Sequence, residues 1–140
     1  MNSLLNVSVR ERHGLVSSIE ANFTSYMDSG FWAIYFGTES NQVNKSIKLI
    51  QREFDKLKDR SLSPTNLTKI KSQLKGQMAM AEESNLNFML MMAKSLLDRE
   101  KIETLEEIFE QIDLVSADKM QQLAIEMLNP DELSVLIFEP

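Results

Sequence analysis

Cysteine is absent from the 140-residue chain, and histidine and tryptophan occur once each, as His13 and Trp32. Without thiols there is no disulfide framework, no iron–sulfur cluster and no cysteine nucleophile. A zinc site would have to be completed around His13 by at least two carboxylates, a rare ligand set. No motif positions a serine beside His13 for a Ser/His/Asp arrangement, so this residue reads as exposed and idle next to Gly14. The three prolines all fall at element boundaries or at the terminus, and no low-complexity tract or long linker is present. No run approaches the ~18 apolar residues of a membrane helix. The first residues also lack the basic segment and long apolar core of a signal peptide.

What is present is the composition of a folded domain, 43% apolar and 26% charged. Its length suits a single domain. Net charge is −6, from 15 basic and 21 acidic residues, so a nucleic-acid partner is not expected. Lys45, Lys48, Arg52, Lys56, Lys58 and Arg60 do cluster, but Glu53, Asp55 and Asp59 are interleaved with them. That mixture reads as a solvated helix face.

Residues 2–12 read as a short helix, stopped at Gly14 in a left-handed position with apolar Leu15 after it and Arg10 and Arg12 at the negative end of the dipole. Ile19, Ala21 and Phe23 then alternate with Ser18, Glu20, Asn22 and Thr24, the period of a half-buried strand. Asp28, Ser29 and Gly30 form a turn, and residues 31–36 return as a strand apolar on both faces, placed inside the sheet rather than at its edge. From Ser40 the period becomes helical, with Val43, Ile47, Ile50, Phe54 and Leu57 on one stripe. Ser63-Pro64 opens a second helix through Leu67, Ile70, Leu74 and Met78. Ser84 restarts or bends it before Leu86, Met89, Leu90, Ala93 and Leu97. Thr104 with Glu107 is a capping box. Ser116 caps a last helix in which Met120, Leu123, Ala124 and Met127 face inward, and Asn129-Pro130 stops it. Residues 133–138 read as a final buried strand paired with the hairpin.

This order implies an α+β domain over residues 1–140: an antiparallel or mixed sheet, made of the N-terminal hairpin and the C-terminal strand, with four to five helices on one face. Such an apolar sheet is sticky unless another segment or chain covers it, so the chain reads as truncated before its first helix and prone to self-association through the exposed sheet edge.

The residues Met1-Asn2-Ser3-Leu4-Leu5 and Val9-Arg10-Glu11-Arg12-His13-Gly14-Leu15-Val16-Ser17-Ser18 resemble a signature of the pitrilysin/insulinase-type (inverzincin) zinc metallopeptidases. There a small-residue helix leads into Arg-Glu-Lys-x-Gly-Leu-Ala-Tyr-Ser and a strand. The turn at Asp28-Ser29-Gly30, the helix over 42–57, Leu62-Ser63-Pro64, Ile70-Lys71-Ser72-Gln73-Leu74 and the closing stretch from Val115 to Val135 follow in the family's order. The resemblance implies two homologous α+β halves closing over a peptide chamber. One half carries His-x-x-Glu-His, which binds zinc and polarises water. With a single histidine, this chain resembles the other half, the non-catalytic C-terminal one, entered after its first strand. By the same resemblance it lines the chamber, contributes no catalytic residue and binds no metal, while the zinc lies in the catalytic half, on the same chain or on a separate subunit.

In the family an arginine and a tyrosine of this half hold the substrate backbone. Carried over, the arginine is Arg10, and the tyrosine position is Ser17, too short to replace a phenol reaching across a cleft. Arg10 has a second reading, since a cation in a helix's last turn complements the dipole whatever its function. Ser17 has one too, as the residue that leads into a strand. The departure at Ser17 keeps open an alternative function, a structural or interaction module of the same fold with no proteolytic role. Met78, Met80, Met89, Met91 and Met92 read as fillers of irregular core gaps. Glu103, Glu106, Glu107 and Glu110 read as complements of a helix N-terminus.

Overall fold

The computed structural model describes residues 3–138. Two compact units are present: one holds the residues up to 60 together with those from 121 onward, the other spans 61–120. Met1 and Asn2, part of the expected first helix, lie outside the described residues.

The chain begins helically at Leu4 and continues as a π-helix over Asn6–Arg12, wider than the ordinary helix expected. Gly14 ends it at φ +58, where the absence of a Cβ removes the usual steric penalty. The Gly14 N–H donates to the Arg10 carbonyl at 3.0 Å and the Leu15 N–H to Val9 at 3.1 Å. The expected stop is thus present, closed across a wider turn. Arg10 and Arg12 occupy the last turn.

β1 (Ser18–Ser25) and β2 (Gly30–Gly37) pair antiparallel, with Ile19 opposite Phe36 and Phe23 opposite Trp32. Period-two alternation brings Ile19 into the core, 5% exposed, but leaves Phe23 on the same face 69% exposed. Among the described residues β2 has one neighbour, so it is an edge strand rather than an interior one. Phe31 and Tyr35 on it are exposed. A strand apolar on both faces reports that both faces favour cover, not how many strands flank it.

α1 (Val43–Asp59) lays Ser46, Leu49, Ile50, Glu53 and Phe54 against the rest of the first unit. With Val9, Leu15, Val16 and Ile19, the apolar members of that face form its core, and Trp32, Ile34, Phe36, Leu128 and Leu133 pack at its margin. The Trp32 and Phe54 rings meet edge to face, centroids 5.7 Å apart, which ties the hairpin to α1. The Thr38 hydroxyl donates to the Leu15 carbonyl at 2.6 Å across the hairpin's base. The Gln121 amide donates to the Lys58 carbonyl at 2.7 Å, holding the returning chain on α1.

The second unit holds α2 (Pro64–Glu82), α3 (Asn85–Arg99) and α4 (Leu105–Leu114), while α5 (Ala117–Met127) crosses the boundary in sequence. Ser63 accepts from the Asn66 N–H and Ser84 from the Asn87 N–H, and Thr104 with Glu107 forms a reciprocal capping box. Lys75 pairs with Asp113 and sits over the Phe109 ring, 5.4 Å from its centre, joining α2 to α4. Ser116 accepts from the Lys119 N–H at the start of α5.

Three further expectations differ from the structure. Residues 133–138 form no strand: Leu133 packs on the core, while Val135, Leu136, Ile137 and Phe138 are exposed and enter no ladder among the described residues. An apolar run supplies the wish for burial, but a strand also needs a neighbour whose backbone groups are free to pair. The methionines are not uniformly core, since Met80 is 72% and Met89 57% exposed. On α5, Leu123 and Met127 are exposed, and only Met120 and Ala124 of the four residues expected inside are partly covered.

Gly14 sits in open space, with nothing within 4 Å of an added Cβ, so substitution there tests backbone conformation alone. Gly14→Ala is expected to destabilise the first unit by about 1 kcal/mol, and Gly14→Asn by less, because asparagine tolerates the left-handed region. Urea midpoints followed through Trp32 fluorescence check the order.

Candidate functional site

The π-helix carries Arg10, and two features hold its backbone in place. Ser8, buried, donates from its hydroxyl to Glu53 Oε1 on α1 at 2.7 Å, a bond spanning 45 residues of chain. The Ser8 carbonyl lies 2.7 Å from His13 Nδ1. A carbonyl only accepts, so Nδ1 carries the proton and the imidazole caps this wide turn. His13 is therefore exposed but not idle. The carbonyls of Ser8, Val9 and Arg10 accept in turn from His13 Nδ1, the Leu15 N–H and the Gly14 N–H. The Arg10 side chain is exposed and, among the described residues, has no hydrogen bond or ion pair.

Ser17 lies just before β1, and its N–H and hydroxyl both donate to the Gly37 carbonyl, at 2.8 and 3.2 Å. A Cβ at position 37 would come within 2.9 Å of the Ser17 oxygen, so a side chain there would have to turn the hydroxyl away from its present bond. The serine hydroxyl thus fastens the open end of the hairpin, leaving its lone pairs on an exposed face.

Glu53 corrects the reading of α1 as a simple solvated face, being 4% exposed. Its carboxylate accepts from Lys56 Nζ at 2.7 Å as well as from Ser8. Burial, the largest single influence, pushes the carboxyl up. The hydrogen bonds from Lys56 and Ser8 and the charges of Lys56 and Arg12 together outweigh it, and the group is held below its ordinary value. Lys56 keeps most of its own surface in water, so the pair is desolvated on one side only. The signal was present in the sequence: Glu53 falls on the apolar stripe, three residues from both Ile50 and Lys56.

Among the described residues no three His, Cys, Asp or Glu side chains gather to hold a metal ion. His13 has no cluster of carboxylates beside it among the described residues, so the residues present do not fit a zinc site. No helix among them is long and apolar enough to cross a membrane. A shallow groove of about 140 Å³ lies between α1 and the C-terminal segment, lined by Gln51, Phe54, Asp55, Lys58, Leu128 and Leu133. It is well below the ~300 Å³ of the smallest usual ligand pockets.

The chain resembles several known proteins. The family model described as the peptidase M16 inactive domain matches residues 1–74, the stretch that contains the π-helix, the hairpin and α1. The chain is 33% identical over 137 residues to a zinc protease, YmxG, of Bacillus subtilis, covering 98% of this chain and 34% of that protein. It is 28% identical over 118 residues to the mitochondrial-processing peptidase subunit beta of Saccharomyces cerevisiae, 83% of this chain and 26% of that one. A zinc protease of Streptomyces coelicolor, SCO5738, is 25% identical over 128 residues. The chain thus spans about a third or less of the length of these curated relatives. A chain of complex III2 from Candida albicans, solved with Inz-5 bound, shares the fold over 90% of this chain, with TM-score 0.78 and 20% identity.

Two outcomes follow from this site. The lowered Glu53 carboxyl contributes stability that is fully present above the unfolded carboxylate value and is lost as pH falls through the folded one. Glu53→Gln is therefore expected to cost about 1–3 kcal/mol at neutral pH, the difference from the parent shrinking in acid below about pH 4. Urea titrations across that range check the sign. Calorimetry of the chain with zinc is expected to show no submicromolar binding.

Proposed function

The chain belongs to the M16 peptidases, the pitrilysin/insulinase-type zinc metallopeptidase family, through their inactive domain, and on that premise we propose that it forms one wall of a peptide-binding chamber and contributes substrate contacts. An inactive domain is not catalytic alone. In this reading the 140 residues act as one such domain, and zinc and the catalytic glutamate belong to a partner half, on the same chain or on a separate subunit. Relatives named as zinc proteases support that assignment, and so does the two-part character implied by a relative named as a peptidase subunit.

The observation that carries the reading is Arg10, an exposed guanidinium with no partner among the described residues, mounted on a turn whose Ser8, Val9 and Arg10 carbonyls are engaged. A guanidinium offers five donors in a planar fork, suited to carbonyl oxygens of an extended peptide or to a terminal carboxylate. Its role is binding and orientation of the substrate backbone, not proton transfer. Ser17 adds a smaller contact. With its proton directed at the Gly37 carbonyl, the hydroxyl is an acceptor toward solvent, matched to a peptide N–H.

A second reading, a structural or interaction module that pairs through its sheet edge, is favoured by the exposed Phe23, Phe31 and Tyr35 of the hairpin. It predicts self-association of the isolated chain.

Arg10→Ala in the assembled peptidase separates the two. A fall in kcat/KM of roughly ten- to a hundredfold, with assembly intact, is expected for substrate contact. Unchanged turnover per assembled complex, with assembly alone impaired, would instead establish the structural module.

A further inference from the structure

The direction in which Arg10 points is set by the turn beneath it. A π-helix holds one residue more per hydrogen-bonded turn than an α-helix. Relaxation to ordinary closure takes that residue out and swings the side chains that follow by about 100°. Something must keep the turn wide, and Ser8 is where the helix is fastened. Its hydroxyl makes the one side-chain hydrogen bond that ties the π-helix to another element among the described residues, to Glu53 of α1 at 2.7 Å. Val9, the next residue, is fully buried, and Arg10 follows it at the surface. On the far side, His13 and Gly14 close the turn by bonding to Ser8 and Arg10. The arginine is therefore held between an anchored serine and a left-handed glycine, while its own side chain has no partner among the described residues.

We propose that Glu53 is a positioning residue for Arg10: by accepting the Ser8 hydroxyl it keeps the π-turn open and so sets the direction in which the guanidinium meets the peptide. This rests on Arg10 being a peptide-binding group. Glu53 itself touches no substrate. It acts from beneath the helix, and Lys56 bonds the same carboxylate oxygen, so the acceptor is also held from within α1.

The chain has no cysteine, so labels can be placed uniquely. Nitroxides at Arg10→Cys and at Lys48→Cys, on the exposed face of α1, report the distance between the turn and the helix by pulsed electron paramagnetic resonance. Glu53→Leu removes the acceptor, and Glu53→Gln keeps an oxygen for the serine. The distance distribution is expected to shift or broaden in the leucine variant and to match the parent in the glutamine variant. Overlapping distributions for leucine and parent would overturn the proposal. If Glu53→Leu does not fold, Ser8→Ala removes the donor while the Lys56 pair remains, and the same shift is expected.

Kinetics of the peptidase assembled with its zinc-bearing half give the second arm. Glu53→Leu is expected to raise KM about tenfold with kcat little changed, and to add nothing once Arg10→Ala is present. Multiplying effects in the double variant would show that Glu53 acts independently of Arg10 and overturn the proposal. If Arg10→Ala alone leaves kcat/KM unchanged, the peptide-binding reading fails, while the label distances still decide whether Glu53 orients the turn.

Discussion

A carboxylate is kept out of water only where donors meet it, and in this chain that condition fastens the N-terminal helix to the rest of its unit. Glu53 is 4% exposed and is met by a hydroxyl from Ser8, 45 residues away, and an ammonium from Lys56, one turn along its own helix. The first bond is long-range and buried, the second local and wet on one side. A neutral apolar side chain at position 53 would leave the Ser8 hydroxyl unpaired, an expensive state for a buried donor. The polar bond thus selects one arrangement of the π-helix on α1, where hydrophobic contact alone is indifferent to small rotations.

From that fastening the remaining geometry of the first unit follows. The π-helix ends in a left-handed glycine, which turns Leu15 and Val16 back into the core and starts β1 on the correct face, with Ile19 inward. The hairpin closes on Gly37 through Ser17 and on Leu15 through Thr38, and its Trp32 reaches Phe54 beside Glu53. The core itself is small, and many large apolar side chains outside it are exposed, on the hairpin, on α3 and in residues 135–138. A domain of the M16 type that works as one wall of a chamber, as proposed, has surfaces designed for cover by other parts of an assembly, and that is a sufficient reason for apolar patterning to exceed what the unit buries by itself.

Much of this was legible before any coordinates. Gly14, Ser63, Ser84, the Thr104–Glu107 box and Ser116 all act where the pattern placed them, because a cap is a bond between residues three or four positions apart and needs no distant partner. The hairpin was legible for the same reason, as alternation broken by a turn. Glu53 is where charge and position disagree: interleaved with lysines it has the pattern of a solvated residue, yet its place on the apolar stripe of α1 points inward. For residues 133–138 and β2, an apolar run says that burial is favourable and does not say which neighbour provides it. The methionines on α2 and α3 follow the same rule, since their patterning is as compatible with an uncovered face as with a core.

Sequence alone therefore determined the α+β class, the hairpin and most of the helix caps, the scarcity of metal-ligating side chains and the resemblance that led to Arg10. All of these rest on residue type or on bonds between near neighbours. Tertiary structure decided the width of the first helical turn, the burial of Glu53, the engagement of His13 and Ser17, and the freedom of the Arg10 side chain. Those depend on which groups from distant parts of the chain arrive at the same place, and a hydrogen bond across 45 residues leaves no periodic trace in the residues that make it.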